Sequence, residues 1–446
     1  MPPGLKAARP AKTLQTQPSL WTVLCKYSLF EAGDSAWSMI VVSTYFGVFL
    51  QKVIGRPGAD FGWAVTVGAL IVAVISPILG ASADNSRRRQ PYLRFFVFGL
   101  VICTASLGLA RSWPTAISLF ILAYICANAA FTFFTAMIPA ISNKKNVTAV
   151  ISMTVGVGYA GSLVCLVGLS RLVPTDTTAG RVFLPMSLIY LALAYPAMYL
   201  APDFKAGPRR RLGIYAAYGR IRDTFLHARR YRYFLIFLIG DFLYENAVAS
   251  VVTLMGLYSR NVMGFKANEL ASLFGPSIIV AMLSAWIVFG PLVKAIGPKK
   301  TVLIDLMIWL SLFLMVLVVS PGMVLDIGPF HLDARLLFKF TVAPLAGLGL
   351  AGVWSSSRVL LTALTPADKS GEFWGLYSLS GRTASVLGDA TWSLILTVFG
   401  EQILGYKIAV AALMVYVIIG AVLIGILPDA RPLSGNFLKE ERIQTV

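Results

Sequence analysis

Long apolar runs separated by short polar segments extend through almost the whole chain of 446 residues. A helix needs about 20 consecutive, mainly apolar residues to cross the hydrocarbon core of a bilayer. Runs of this length predict twelve transmembrane helices, six on each side of a polar gap at 202–232. The predicted helices lie near residues 27–51, 62–83, 92–110, 114–139, 149–171, 182–201, 233–257, 268–290, 301–320, 337–360, 372–396 and 407–427.

The two groups of six predicted helices carry related local sequences. An F-x-x-G-D pattern starts at Phe30 in the first helix and again at Phe237 in the seventh. The loop after the second helix, 80–89, has a counterpart at 290–300 after the eighth. Because both matches recur at nearly the same offset, they indicate a duplicated six-helix unit. Parallel repeats around a central site are a transporter architecture.

The fold class that follows is an all-α integral membrane protein of twelve transmembrane helices in two pseudo-symmetric halves. The expected division is a tail at 1–20, a first half at 21–201, a linker at 202–232, a second half at 233–427 and a tail at 428–446. The linker carries nine Lys and Arg residues. It forms either an amphipathic surface helix around 212–226 or a plain basic connection.

Composition agrees with lipid as the solvent of this chain. It is 57% hydrophobic and 13% charged, whereas soluble domains average about 45–50% and about 25%. The net charge is +18, and the basic residues lie between apolar runs, where they set orientation and contact anionic lipid headgroups. We therefore expect lipids rather than nucleic acid as partners. Both termini and the linker are expected in the cytoplasm, and the membrane is expected to be a bacterial cytoplasmic (inner) membrane.

Motifs of enzymes and cofactor sites are missing from the sequence. It has no Walker loop, no G-x-S-x-G and no H-E-x-x-H, which mark nucleotide binding, acyl transfer and zinc chemistry. His227 and His331 are its only histidines, which argues against a metal site built from histidine. We expect no enzyme activity, no cofactor and no bound metal.

Acidic residues inside two predicted helices form the first candidate site. Glu31 and Asp34 are three residues apart, and Asp241 and Glu245 are four apart, so each pair shares one helix face. An ionisable group at bilayer depth costs about 2.5–3.5 kcal/mol and needs a reason. Paired carboxylates in a cavity of low dielectric repel each other, which favours a proton on one of them. We expect Asp34 and Asp241 to carry protons, with the two glutamates as their modulators.

The eleventh predicted helix adds Arg382 and Asp389, seven residues apart on one face. Asp389 joins the cavity acids, and Arg382 either holds a carboxylate of the substrate or pairs with Asp389 in the empty site. Trp37 and Tyr244 are candidate substrate contacts. The alternative for all these side chains is structural: the acids pair with polar neighbours and the aromatic rings pack in the core.

The loop after the second helix resembles the signature G-x-L-x-D-R-x-G-R-R/K of the major facilitator superfamily. Gly80, Asp84, Arg88 and Arg89 match it, while Ser82 and Arg87 depart from it. The resemblance implies a cytoplasmic gate in which Asp84 and its basic neighbours latch the two halves, with Glu372 and the start of the eleventh helix as partners. Arg358, near the cytoplasmic end of the tenth helix, is expected in the same gate. The alternative for this loop is an orientation anchor only.

More specific motifs resemble the autophagy-related vacuolar amino-acid effluxer family and its bacterial relatives. Residues 30–37, F-E-A-G-D-S-A-W, are similar to Y-D-W-A-N-S-A-Y, and residues 242–247 to F-L-Y-N-D-G. Residues 357–388 are similar to S-R-S, E-F-F-G-L-Y and G-K-x-x-S-x-L-G. The resemblance implies amino acids or similar small solutes as the substrate of a secondary active transporter that works by alternating access. The buried acids described above indicate protons as its coupling ion. Transport of metal ions or lipid on the same fold, or a non-transporting sensor or scaffold, are the alternatives.

Overall fold

The computed structural model describes residues 27–85, 89–135, 137, 147–200, 231–327, 330–365 and 370–429. The tail at 1–20, nearly all of the linker with its predicted helix at 212–226, and residues 430–446 lie outside them. Up to residue 200 the α-helices are α1 (Leu29–Trp37), α2 (Phe46–Lys52), α3 (Gly58–Asn85), α4 (Gln90–Leu107), α5 (Trp113–Thr135), α6 (Val147–Ser170) and α7 (Phe183–Tyr195). Ser38–Tyr45 is a π-helical stretch between α1 and α2, Asp176–Val182 is a 3-10 helix before α7, and Pro196–Leu200 is π-helical.

The second group of helices follows the linker. It comprises α8 (Arg232–Asn261), α9 (Leu270–Ser284), α10 (Gly290–Ile296), α11 (Pro298–Val318), α12 (Ala334–Leu337), α13 (Ala343–Leu364), α14 (Ser370–Phe399) and α15 (Ile403–Ile426). A 3-10 turn at Ala267–Glu269 precedes α9, and π-helical stretches at Ala285–Phe289 and Phe338–Val342 join α9 to α10 and α12 to α13.

A short β-hairpin between α11 and α12 is an addition to the predicted helical fold. Strand β1 (Val324–Ile327) pairs antiparallel with β2 (Phe330–Asp333), so that Val324 lies opposite Asp333. Asp333 then begins α12, because its side chain accepts a hydrogen bond from the Leu336 amide at 2.7 Å, as an N-cap residue does. Apolar runs of about 20 residues predict membrane helices, and strands of four residues do not produce such runs.

Local sequence explains the break between α10 and α11. Gly297 has a φ of 87°, a left-handed conformation that glycine adopts at the end of a helix without steric cost. Pro298 is the first residue of α11, where its missing amide hydrogen and its fixed φ are favourable. The Gly-Pro pair therefore turns the chain between two helices.

Nine helical regions among the described residues are long and apolar enough to cross a membrane. Two further apolar helices, Thr154–Ser170 in α6 and Ser385–Phe399 in α14, are shorter. Large apolar side chains remain on the surface of the bundle, for example Phe95 and Val164, each 71% exposed. Such a surface suits a lipid environment. Each of the twelve predicted spans contains helical residues, and the number that cross the bilayer stays a prediction.

Helices of the second group pack in the same pattern as those of the first. In the first group α1 packs against α6 and α7, α3 against α5, and α4 against α5 and α7. In the second, α8 packs against α14 and α15, α9 against α13, and α11 against α13 and α15. Contacts between the groups join α3 to α14, α6 to α9, and the π-helical stretch Ser38–Tyr45 to α8. This correspondence supports the predicted repeat.

Glycines permit the closest contacts between helices. A Cβ atom on Gly256 of α8 would overlap the carbonyl oxygen of Ser43, and one on Gly347 of α13 would overlap the carbonyl oxygen of Ser277 in α9. Backbones can approach this closely only where a side chain is absent, and in lipid such packing replaces the hydrophobic effect as the force between helices.

We expect Gly347→Ala to destabilise the bundle, because the new methyl group must push α13 away from α9. Overpacking of this kind costs about 1–3 kcal/mol. Thermal unfolding of the detergent-solubilised protein measures the effect as a lower midpoint. Gly425→Ala in α15 is the matched control, since a Cβ there meets nothing within 4 Å. An equal fall in both variants would contradict the close contact.

Candidate functional site

The predicted acids of α1 lie against α6 and α7. Glu31 packs on Gly158 of α6, where a Cβ would lie 3.1 Å from the Glu31 Cγ. Tyr190 of α7 donates its hydroxyl hydrogen to Asp34 Oδ1 at 3.4 Å. Both acids are half-buried. The first group of helices therefore holds two carboxyls on one face of α1.

The predicted acids of α8 form a pair with a chain of hydroxyls. Asp241 is fully buried, and its Oδ1 accepts a hydrogen bond from the Tyr244 hydroxyl at 2.5 Å. The same hydroxyl lies 2.7 Å from the Ser357 Oγ of α13. The carboxyls of Asp241 and Glu245 lie within hydrogen-bonding range of each other. Two carboxyls can share a hydrogen bond only when one of them carries a proton.

Arg358 of α13 lies near acids of both groups of helices. Its charge is close enough to act on Glu31 of α1 and on Glu245 of α8. Its guanidinium is within hydrogen-bonding range of the Tyr377 hydroxyl of α14, and Tyr159 of α6 lies beside it. The side chain is nevertheless exposed, so the site opens to solvent. We call the four acids and this arginine the central cluster: Glu31, Asp34, Asp241, Glu245 and Arg358.

An apolar cavity adjoins the central cluster. Its walls come from both groups of helices, with Met39 from the first and Met255, Trp309 and Phe338 from the second. Tyr159 lines the cavity and also lies beside Arg358, so the charged groups stand at one end of an apolar space.

Asp389 of α14 lies at another contact between the groups. It is fully buried, and the hydroxyl groups of Ser250 and Ser385 lie beside its carboxyl. Gly62 of α3 packs against its backbone, where a Cβ would lie 3.6 Å from the Asp389 carbonyl oxygen. This acid therefore lies where α3, α8 and α14 meet.

One end of the bundle carries the β-hairpin and the loops after α2, α4, α6, α8 and α14, and we call it the hairpin end. A polar network that was not predicted from the sequence lies there. Arg260 donates to Asp176 Oδ2 and to Gln51 Oε1, both at 2.9 Å. Gln51 donates to Glu401 Oε2 at 3.0 Å. The second oxygen of each acid accepts a backbone amide hydrogen, from Ala267 and Ala59 respectively. We call Gln51, Asp176, Arg260 and Glu401 the hairpin-end network.

The hairpin-end network closes this end of the bundle. Gln51 and Asp176 belong to the first group of helices, and Arg260 and Glu401 to the second. The Arg260 and Asp176 side chains are 10% and 26% exposed, so water screens this pair less than an ordinary surface pair. One turn deeper in α8, Gly256 contacts the backbone at Ser43. Each polar residue of the network borders an apolar run, where polar residues are ordinary, so their contact could not be predicted from the sequence.

The family described as "Vacuole effluxer Atg22 like" matches residues 63–431. The chain belongs to this family. The uncharacterized MFS-type transporter YxiO of Bacillus subtilis (strain 168) is 22% identical over 424 residues, which cover 90% of this chain and 94% of that protein. Autophagy-related protein 22 of Kluyveromyces lactis is 28% identical over 189 residues, which cover 41% of this chain and 37% of that protein.

Solved transporter structures share the fold of this Atg22-like chain. The nucleoside transporter NupG superposes with a TM-score of 0.72 at 12% identity, over 91% of this chain and 99% of that one. A bacterial homolog of the human lysosomal transporter Spinster, inward-facing and unoccupied, superposes with a TM-score of 0.65 at 12% identity, over 91% and 95% of the two chains. The Atg22-like chain is thus a multi-pass membrane transporter of the major facilitator type with a small-molecule substrate.

The predicted site residues of the Atg22-like protein fall into different places. Arg358, expected in the gate, lies near the acids of the central cluster, and its role in a gate stays a prediction. Trp37 is buried, and its Nε1 donates to Thr104 Oγ1 of α4 at 2.9 Å, which favours the packing alternative. Tyr244 is also buried and holds Asp241. Tyr190 and Ser357, the partners of Asp34 and Tyr244, were missed because tyrosines and serines are common in membrane helices.

The remaining predicted gate residues lie largely outside the described residues. Arg87 and Arg88 lie outside them, as do the side chains of Asp84, Glu372 and Arg382. Gly80 is described only as a helical residue of α3. Arg89 is the N-cap residue of α4. The cytoplasmic gate of the Atg22-like protein and the role of Arg382 stay predictions.

We expect Arg260→Gln to open the hairpin end. Breaking exposed ion pairs costs about 0.2–1 kcal/mol and breaking buried ones about 3–5 kcal/mol. For this partly buried pair, about 1.4 kcal/mol would shift the ratio of closed to open forms about tenfold. Spin labels at the exposed positions Leu172 and Ile403 would report the shift as a longer distance between the two labels. Arg56→Gln, which removes a surface pair with Asp60, is the control, and identical distance distributions in both variants would refute the closing role.

Proposed function

We propose that this transporter moves an amino acid or a similar small zwitterion by alternating access, coupled to protons. The observation that carries the proposal is that the charge of Arg358 acts on both Glu31 and Glu245, which belong to different groups of helices. A guanidinium fits a carboxylate with two parallel hydrogen bonds, and carboxylates bind an ammonium group. Both charges of a zwitterion therefore have a partner in the central cluster.

The adjoining cavity supports a solute with an apolar part. A substrate whose charged groups lie at Arg358 can extend past Tyr159 into the space lined by Met255 and Trp309. Removing apolar surface from water there contributes about 25 cal/mol per Å². The charged cluster would then fix the orientation of the solute, and the cavity would supply much of its affinity.

Coupling to protons is supported by the carboxyl pair of α8. The carboxyls of Asp241 and Glu245 lie close enough for a hydrogen bond between them, and such a bond requires one proton. A substrate ammonium group at Glu245 would compete with that proton, because both favour the same carboxyl oxygens. Binding of substrate and release of the proton would thereby be linked.

Alternating access is supported by the closed hairpin end. A solute in the central cavity can leave only at the opposite end while the hairpin-end network is formed. The positive-inside rule places that opposite end, with both termini and the basic linker, in the cytoplasm of a bacterial inner membrane, next to anionic lipid headgroups. In this orientation the present conformation is closed to the outside.

Uptake of a mixed amino-acid pool into proteoliposomes tests the proposal, with and without an imposed pH gradient. Accumulation that depends on the gradient is the expected result. Uptake that does not depend on the gradient would contradict proton coupling and support the proposed substrate class. No flux in either condition would remove the substrate class. Competition by divalent cations, measured in the same vesicles, tests the alternative of metal transport.

A further inference from the structure

Asp305 is a buried acid that lies outside the central cluster. It lies two turns into α11 and has no exposed surface. Neither of its carboxyl oxygens has a hydrogen-bond partner among the described residues. An ionised carboxylate in such a place costs several kcal/mol, because it has lost its water and gained no donor.

Glycines of α13 form the wall opposite this carboxyl. A Cβ on Gly352 would overlap Asp305 Oδ1 and the ring of Phe289. One turn further along α11, the Trp309 indole packs on Gly349 in the same way, and its Nε1 also has no partner among the described residues. The packing of α11 against α13 is thus tight and offers the carboxyl no donor.

Charged groups around Asp305 do not compensate it. The charged and titratable side chains on the packed elements are Lys294 of α10, Lys299 and Lys300 of α11, Lys339 of the π-helical stretch, Arg358 of α13, and Tyr406, Lys407 and Tyr416 of α15. None of these acts on the Asp305 carboxyl. Lys299 pairs with Asp429 at 3.4 Å, Lys407 donates to Ser320 at 2.6 Å, and Arg358 belongs to the central cluster.

We propose that Asp305 is a second proton-binding site, occupied while α13 packs on α11 and emptied when the two helices separate. A proton is the ligand that fits, because one proton neutralises the carboxyl and needs no further space or donors. On separation, water enters, the O–H bond of the acid breaks, and the proton passes to that water. The inference rests on the proposed proton-coupled transport and adds to it a site that the solute does not touch.

Infrared difference spectroscopy of the purified protein in lipid tests the occupancy directly. Wild type minus Asp305→Asn at neutral pH is expected to show the carbonyl band of a protonated carboxylic acid. A carboxylate band in its place would overturn the proposal. Asp333→Asn is the matched control, since Asp333 is exposed and accepts the Leu336 amide hydrogen. If Asp305→Asn does not fold, Asp305→Glu takes its place, and the difference spectrum is then expected to show the protonated-acid band shifted from its wild-type position.

Proton stoichiometry tests the role in transport. The reversal potential of solute-driven current in proteoliposomes gives the number of protons moved per solute, and Asp305→Asn is expected to lower it by one. An unchanged number in an active variant would overturn the coupling role of Asp305 and leave the central cluster intact. If the wild type moves no amino acid, the proposed substrate fails, but the infrared measurement still decides whether Asp305 holds a proton.

Discussion

Asp241→Asn is expected to abolish the gradient-driven accumulation of solute that depends on the central cluster, while solute exchange without a gradient continues. Asparagine keeps the size of the side chain and the hydrogen bond from Tyr244, but it cannot bind a proton. With a gradient of about two pH units, one coupled proton is worth about 2.7 kcal/mol, which corresponds to about 100-fold accumulation. The ratio of internal to external solute should therefore fall about 100-fold.

The measurement is gradient-driven uptake and counterflow on the same proteoliposomes. Asp60→Asn is the control, because Asp60 lies near the surface in a pair with Arg56. Loss of both uptake and counterflow would indicate a structural role for Asp241. Unchanged accumulation would remove it from the proton pathway.

Arg358→Ala is expected to raise the half-saturating solute concentration about 30-fold. The guanidinium is the positive group whose charge acts on both Glu31 and Glu245, so its loss leaves the substrate carboxylate facing two acids. Truncating one partner of a buried charge pair costs about 2–5 kcal/mol. Because Arg358 is exposed, the lower figure of about 2 kcal/mol applies, and it corresponds to about 30-fold.

Concentration dependence of uptake separates this effect from a folding defect. Arg358→Lys keeps the charge but loses the paired geometry of the guanidinium, so it should fall between wild type and Arg358→Ala. Arg335→Ala is the control, since Arg335 pairs with Glu269 at the hairpin end. Equal half-saturation in Arg358→Ala and wild type would falsify substrate binding at this residue.

The helical bundle could be predicted because lipid imposes a simple requirement on the sequence. Every backbone group in the bilayer must be satisfied within its own segment, and long apolar runs therefore predict helices. The β-hairpin at Val324–Ile327 and Phe330–Asp333 escaped this rule, since it does not depend on such a run. The π-helical stretch Ser38–Tyr45 escaped as well, because apolar content does not distinguish an i→i+5 from an i→i+4 hydrogen bond.

The acid pairs of the site were predictable because spacing along one helix fixes which residues share a face. The position of Arg358 was not, since it depends on how α13 is rotated against α1 and α8. Asp305 is a different kind of miss. It is a lone acid in an apolar helix, and the cost of burying a charge that drew attention to Asp34 and Asp241 applies equally to it.

Gln51 makes the hairpin-end network dependent on a neutral amide. Its Nε2 donates to Glu401 while its Oε1 accepts from Arg260, so one uncharged side chain satisfies an acid and a base at once. A glutamate at 51 would repel Glu401, and a lysine would repel Arg260. Evolutionary change at position 51 is therefore tolerated only with a compensating change at 401 or 260, and these three positions, which are far apart in the chain, should covary among related transporters.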